Sequence, residues 1–252
     1  MEPIIVKYIE KPVLNDPVLI EGLPGVGNVG KISAEYLKDK LNAKLFVEIY
    51  SKYLPPQVLM RGDGTLYLVK NELYYYKNPE GRDLIILVGD YQGMNAEGQY
   101  ELSYKVLEIA KEFGTKLIFT LGGYGTGNLV EEPRVFGAAT DREMVEDIEK
   151  YGVYFSPNDP SGGIVGAAGL LLGLGSVVFG MRGVCLMGET SGYFSDPKSA
   201  LQILQVVDKY FNLNLDLEEI ELRSQEITEI TSQIKEEQKE EEKKREDLGY
   251  IG

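Results

Sequence analysis

The segment Pro17-Val-Leu-Ile-Glu21 is a strand-like apolar run that passes directly into Gly22-Leu-Pro-Gly-Val-Gly-Asn-Val-Gly-Lys31. A strand, a glycine-rich turn and a helix in immediate succession point to an α/β fold, because such a turn joins a sheet to a crossover helix. Gly25, Gly27 and Gly30 spell G-x-G-x-x-G, with Glu48 close to where a ribose-binding acid would lie. The same residues followed by Lys31 spell most of a P-loop. Ile32, however, stands where Ser or Thr must ligate magnesium, and Ser33 comes one step late. An aliphatic group cannot ligate a hard cation. Asn28 is placed to cap a helix running from Val29 to about Leu41. Exposed amides at a helix start attract anions, so Gly25, Gly27, Asn28 and Gly30 form an alternative nucleotide or anion site. On the other reading, the glycines only let the helix lie tightly against its strand.

The rest of the pattern extends the α/β reading. Ile4 to Ile9 reads as a strand, and Val18–Glu21, the Val29–Leu41 helix and a strand from Lys44 to Tyr50 form a βαβ unit. Leu66-Tyr-Leu-Val69 and Leu73-Tyr-Tyr-Tyr76 flank Lys70-Asn-Glu72 as a hairpin. Leu84-Ile-Ile-Leu-Val-Gly89 and Lys116 to Leu121 are continuous apolar runs, as in a sheet covered on both faces. A helix from Glu97 to Phe113 lies between them, and Gly122 to Gly127 form a loop after the second. Thr140-Asp-Arg-Glu143 is a capping box, and Asp196 with Pro197 opens a further helix. The expected architecture is a three-layer αβα fold with a mainly parallel central sheet.

Composition narrows the chemistry. With no His, the usual general base, the commonest metal ligand and any Ser-His-Asp or Cys-His machinery are missing. A net charge of −14 argues against nucleic-acid binding through a basic face. Cys185 sits in the apolar run Gly183-Val-Cys-Leu-Met187, so packing is its expected role. One cysteine allows no disulfide within the chain, which agrees with a reducing cytoplasm. Met1-Glu-Pro-Ile lacks the layout of a signal peptide. Ile164 to Met181 is eighteen residues without charge and contains Gly169-Leu-Leu-Leu-Gly173, a G-x-x-x-G motif. Its five glycines break it into a buried helix followed by a buried strand, so no membrane span is expected.

The character changes at Asp216. Residues 216–247 hold thirteen acidic and six basic side chains and no Gly, Pro or aromatic residue. Ile220, Ile227 and Ile234 recur every seven residues, about two heptads. Glu240–Lys244 and Glu241–Arg245 are favourable i,i+4 pairs, so a projecting helix of roughly 48 Å fits this segment, with a frayed, solvated tail as the alternative. The chain therefore divides into a body over 1–215, a charged tail over 216–247 and an end over 248–252.

Three later phrases give the glycine-rich opening a context: Gly122-Gly-Tyr-Gly125, Ser161-Gly-Gly-Ile-Val-Gly-Ala-Ala-Gly169, and Gly188-Glu-Thr-Ser-Gly-Tyr-Phe-Ser-Asp-Pro-Lys-Ser-Ala200. In this order and spacing, across roughly residues 15–210, the chain resembles the proteasome assembly chaperone family, in particular its archaeal members. The resemblance implies a nucleoside-phosphorylase-like fold, homo-oligomers, and no established catalysis, cofactor or metal. It also implies a C-terminal segment that docks on α subunits of the proteasome core particle through a hydrophobic residue, a Tyr and one final residue. Here the chain closes Asp247-Leu-Gly-Tyr-Ile-Gly252, with Tyr250 third from the end rather than second and Gly249 before it. Leu248, Tyr250, Ile251 and Gly252 are the residues expected to bind the partner. An enzyme or sensor on the same chain would use the Gly25–Gly30 turn, with Asp90, Glu97, Glu189, Tyr91 and Arg134 for chemistry. A third possibility is a structural oligomer assembled through its tail.

Overall fold

A computed structural model of the chain describes residues 2–155, 162–230 and 232. In chain order these form β1 (Ile4–Tyr8), β2 (Val18–Glu21), α1 (Val29–Lys40), β3 (Lys44–Ser51), β4 (Val58–Met60), β5 (Leu66–Leu68) and β6 (Asn71–Tyr76). Then come β7 (Leu84–Gly89), α2 (Ala96–Glu112), β8 (Leu117–Gly125), β9 (Val135–Ala139), α3 (Arg142–Ile148), α4 (Ala167–Phe179), β10 (Arg182–Thr190) and α5 (Pro197–Phe211). One eight-stranded sheet has the order β1-β3-β6-β7-β2-β8-β10-β9.

The continuous apolar runs β7, β2, β8 and β10 lie side by side and parallel, and β2 and β7 are buried throughout. Antiparallel strands flank them, β6, β3 and β1 on one side and β9 on the other. The sheet is thus mixed rather than mainly parallel, because short connections such as the one between β6 and β7 can only reverse direction. Side chains alternate between two cores. Ile20, Phe119, Leu186, Leu37 and Leu204 pack beneath α1, α3 and α5. Leu19, Ile85, Ile118, Leu107 and Leu171 pack beneath α2 and α4. The three-layer αβα architecture is present.

Several local expectations change. The β2–α1–β3 crossover skips two positions, since β7 and β6 lie between β2 and β3. The hairpin expected between Leu66–Val69 and Leu73–Tyr76 does not form. β5 pairs with β4 instead, while β6 joins the main sheet. Asn71 explains the switch: it is buried, and its amide donates to the Tyr91 carbonyl at 2.9 Å, so it is a strand residue and not part of a turn. Gly122 to Gly125 extend β8 alongside Met187–Thr190 rather than forming a loop. At α3 the cap is Asp141, which accepts from the Met144 amide at 3.0 Å. Thr140 instead accepts from the Gly183 amide at 3.0 Å, tying β10 to that corner. Asp196 caps α5 as expected, accepting from the Ser199 amide, with Pro197 in the first turn. No helix among the described residues is long and apolar enough to cross a membrane.

The chain is helical over 218–230, and its first turn is part of the packed body. Ile220 is fully buried in the α1/α5 core, and the Tyr36 hydroxyl donates to the Asp216 carbonyl at 2.8 Å. Lys40 adds ion pairs to Asp216 at 3.6 Å and Glu219 at 3.2 Å. Ile220 is therefore core rather than the start of a coiled-coil seam. Ile234 lies outside the described residues. Ile220→Ala is expected to lower stability by roughly 3 kcal/mol, the usual cost of emptying a buried aliphatic site. Urea titration would detect this, and a midpoint equal to wild type would show that the segment is not rooted in the body.

Candidate functional site

The carboxyl ends of β7, β2, β8 and β10 form the edge where α/β proteins commonly place ligands. Here it is occupied first by the glycine-rich turn. A Cβ on Gly30 would stand 2.0 Å from the Leu121 carbonyl oxygen, so α1 can cross β8 this closely only without a side chain there. Gly27 has φ +60°, and a Cβ on it would meet Thr190 Oγ1 at 2.8 Å. Asn28 holds the N-cap position at φ 50° but makes no side-chain cap. Its amide donates instead to Ser195 Oγ at 3.0 Å, and the Gly27 carbonyl accepts from the Asp196 amide at 2.9 Å. Lys31 donates to the Gly89 carbonyl at 3.2 Å and pairs with Glu35 at 3.4 Å. The turn is filled by its own chain, and Gly25 and Val26 are its exposed part.

The other candidate side chains are dispersed. Glu48 is in the antiparallel wing, paired with Lys7 at 2.9 Å and Lys70 at 2.5 Å. Burial pushes its carboxyl up, but hydrogen bonds from Lys70 and Lys7 outweigh that and hold it at about 2. With β6 and β7 between β3 and β2, Glu48 does not occupy the ribose position of a dinucleotide fold. Asp90 accepts from the Tyr67 hydroxyl at 3.2 Å and the Lys70 amide at 3.1 Å. Glu97 accepts from the Tyr53 hydroxyl at 2.8 Å, and the Tyr91 hydroxyl accepts from Gln57 at 2.5 Å. Arg134 grips Glu189 through two bonds of 2.9 and 2.7 Å and holds its carboxyl below the ordinary range. Each of these groups has a structural partner. No cluster of three or more metal-ligating side chains occurs among the described residues. Leu248, Tyr250, Ile251 and Gly252 lie outside the described residues.

Gln92, which the sequence did not single out, organises this edge. Its Nε2 donates to the Pro24 carbonyl at 2.7 Å. Its Oε1 accepts from the Ala167 amide at 3.0 Å and from Gln99 Nε2 at 3.2 Å. One side chain thereby links the glycine turn, α4 and α2. No local pattern announces it, since two of its partners lie 68 and 75 residues away.

Beneath the turn, Glu21 is 1% exposed. Its Oε1 accepts from the Leu23 amide at 2.9 Å, and its Oε2 has no hydrogen-bond partner among the described residues. Burial pushes its pKa up to about 8, with the Leu23 bond opposing weakly, so it is neutral below that pH. Burial likewise pushes the Cys185 thiol up to about 12, which fits an inert packing role. The folded state binds the Glu21 proton more tightly than the unfolded chain. Stability from this group is therefore full below its ordinary value of 4.5 and falls as pH rises toward about 8. Relative to Glu21→Gln, wild type is expected to lose up to about 1.4 kcal/mol per pH unit between pH 5 and 7. Urea unfolding at several pH values checks this, and parallel curves for the two proteins would show Glu21 ionising normally.

Exposed apolar side chains complete the edge. Val26, Met94, Val165 and Tyr193 project from loops around it. The β4–β5 hairpin presents Val58, Met60, Leu66 and Leu68 to solvent in two cross-strand pairs. Such a surface suits contact with protein better than chemistry on a small molecule.

Known proteins resemble this chain over nearly all of its length. Pyrococcus furiosus PbaB, described as an archaeal proteasome activator, superposes with TM-score 0.87 at 41% identity, over 93% of this chain and 100% of that one. Pyrococcus furiosus PbaA, described as an archaeal homologue of proteasome-assembly chaperone, superposes with TM-score 0.76 at 26% identity, over 99% of this chain and 100% of that one. An uncharacterised protein of Methanocaldococcus jannaschii is 38% identical over 98% of this chain and 96% of its own length. Residues 19–235 match the PAC2 family along nearly the whole body, and the chain belongs to that family.

Proposed function

We propose that this protein is a cytoplasmic, non-enzymatic adaptor that binds the proteasome core particle and assists its assembly or activation. The observation that carries the reading is the full-length likeness to PbaB, described as a proteasome activator. In this reading the α/β body self-associates, and each copy offers Leu248, Tyr250, Ile251 and Gly252 to the α subunits. The helix over 218–230, rooted by Ile220, gives each segment a fixed point of departure from the body. Several ends bound together raise avidity through effective concentration. The acidic residues of 216–247 suit a rim rich in Lys and Arg and speed encounter more than they add affinity. Capture from native lysate tests the reading. The full chain should recover core-particle subunits, and a chain ending after Ser232, which keeps the rooted turn, should not. Equal recovery by both would move the contact onto the body.

A further inference from the structure

The sequence singles out the charge-free segment from Ile164 to Met181 and its G-x-x-x-G motif, most of which forms α4. In the structure α4 is only half buried. Leu171, Leu172 and Gly175 face α2 and the sheet, whereas Val177 is 87% and Val178 52% exposed. Gly173 is also exposed, and a Cβ built on it would meet nothing within 4 Å. Beside this face runs a groove of about 700 Å³ whose walls include Ala138, Val145, Leu172, Ser176 and Val177, with Arg142 as the charged residue of the lining. We propose that this face of α4, with the groove beside it, is the surface through which two copies of the chain pair about a two-fold axis. The assignment rests on the self-association in the proposed function and names the surface that carries it.

Charge selects the occupant. A chain of net charge −14 repels its own copies, and residues 216–247 carry half of that charge. Ile164 to Met181 is the stretch where two copies can meet without opposing charges. Its shape is self-complementary. Val177 projects one turn beyond the depression at Gly173, so a two-fold axis midway between them sets each Val177 over the partner's depression. Without a side chain at residue 173 the two helices approach closely, with Val178 exposed next to Val177. A helix strip about 20 Å long supplies only part of the roughly 800 Å² per partner that a stable pair buries. The groove walls supply the remainder. The β4–β5 hairpin, with Arg61 and Asp63 at its turn, is the competing apolar surface.

Sedimentation velocity on the full chain decides between them, with wild type, Val177→Glu and Met60→Glu compared at equal concentration. The wild type is expected at a multiple of the single-chain mass. Val177→Glu should lower that mass at least twofold with an unchanged circular-dichroism melt, since residue 177 makes little contact within the monomer. Met60→Glu should sediment as wild type. A wild-type monomer, an undiminished Val177→Glu particle, or dissociation by Met60→Glu instead would each overturn the assignment. Capture on immobilised core particle separates this from the proposed function. Val177→Glu should still bind, more weakly, through single ends. Loss of binding by the chain ending after Ser232, at unchanged mass, reports on the ends alone.

Discussion

Gly30→Ala is expected to abolish folding or to cost at least 4 kcal/mol, although alanine is the better helix former by about 1 kcal/mol. The added methyl would stand 2.0 Å from the Leu121 carbonyl oxygen and 2.7 Å from its carbon. Both atoms belong to the backbone of β8, which is held by β2 on one side and β10 on the other. Neither can retreat without breaking the sheet, and α1 cannot lift without uncovering Val29 and Leu37. Gly25→Ala is the matched control. Its methyl would meet nothing closer than 4.0 Å, so a near-neutral effect is expected. Soluble yield and thermal melts by circular dichroism make the comparison. A Gly30→Ala protein melting within a few degrees of wild type would refute the packing account of the turn.

Tyr250→Ala is expected to weaken binding to the core particle by about 2 kcal/mol per end, or roughly thirtyfold. A tyrosine brings a large apolar ring and a hydroxyl, the kind of group that dominates small interfaces. In the proposed reading Leu248 and Ile251 would pack beside it. Two ends engaged together compound the loss toward about a thousandfold. Adding one residue after Gly252 should also weaken binding if the carboxylate is read. Surface plasmon resonance on immobilised core particle compares the three proteins. Identical affinities would remove the chain end from the interface.

The sequence made visible what depends on local chemistry. Continuous apolar runs marked β7 and β8, helical spacing marked α2, and Asp196 with Pro197 marked the start of α5. What it hid depends on distant partners. Asn71 reads as a turn residue until Tyr91 supplies a carbonyl for its amide. Glu21 reads as an ordinary strand-end acid until the glycine turn seals it from water. Gln92 carries no signal at all, because its role exists only once Pro24 and Ala167 are brought to it. Of the candidate site, the glycine turn was legible as a conformation but not as a filled one. Thr190 and Asp196, which close it, lie more than 160 residues further along the chain.

The position of β2 has a consequence for how the protein is made. It sits near the middle of the sheet, yet its neighbours are residues 84–89 and 117–125. A chain emerging from the ribosome vectorially, at about 5–20 residues per second, therefore carries Val18, Leu19 and Ile20 uncovered for several seconds. No N-terminal fragment ending before Thr120 can complete the pairing on both sides of β2. Asp16 and Pro17 before that strand, with Glu21 at its end and Gly22 after it, interrupt the apolar window on either side. Such flanking residues keep a waiting strand from joining its neighbours on a polysome. Their presence here is what a late-closing central strand requires.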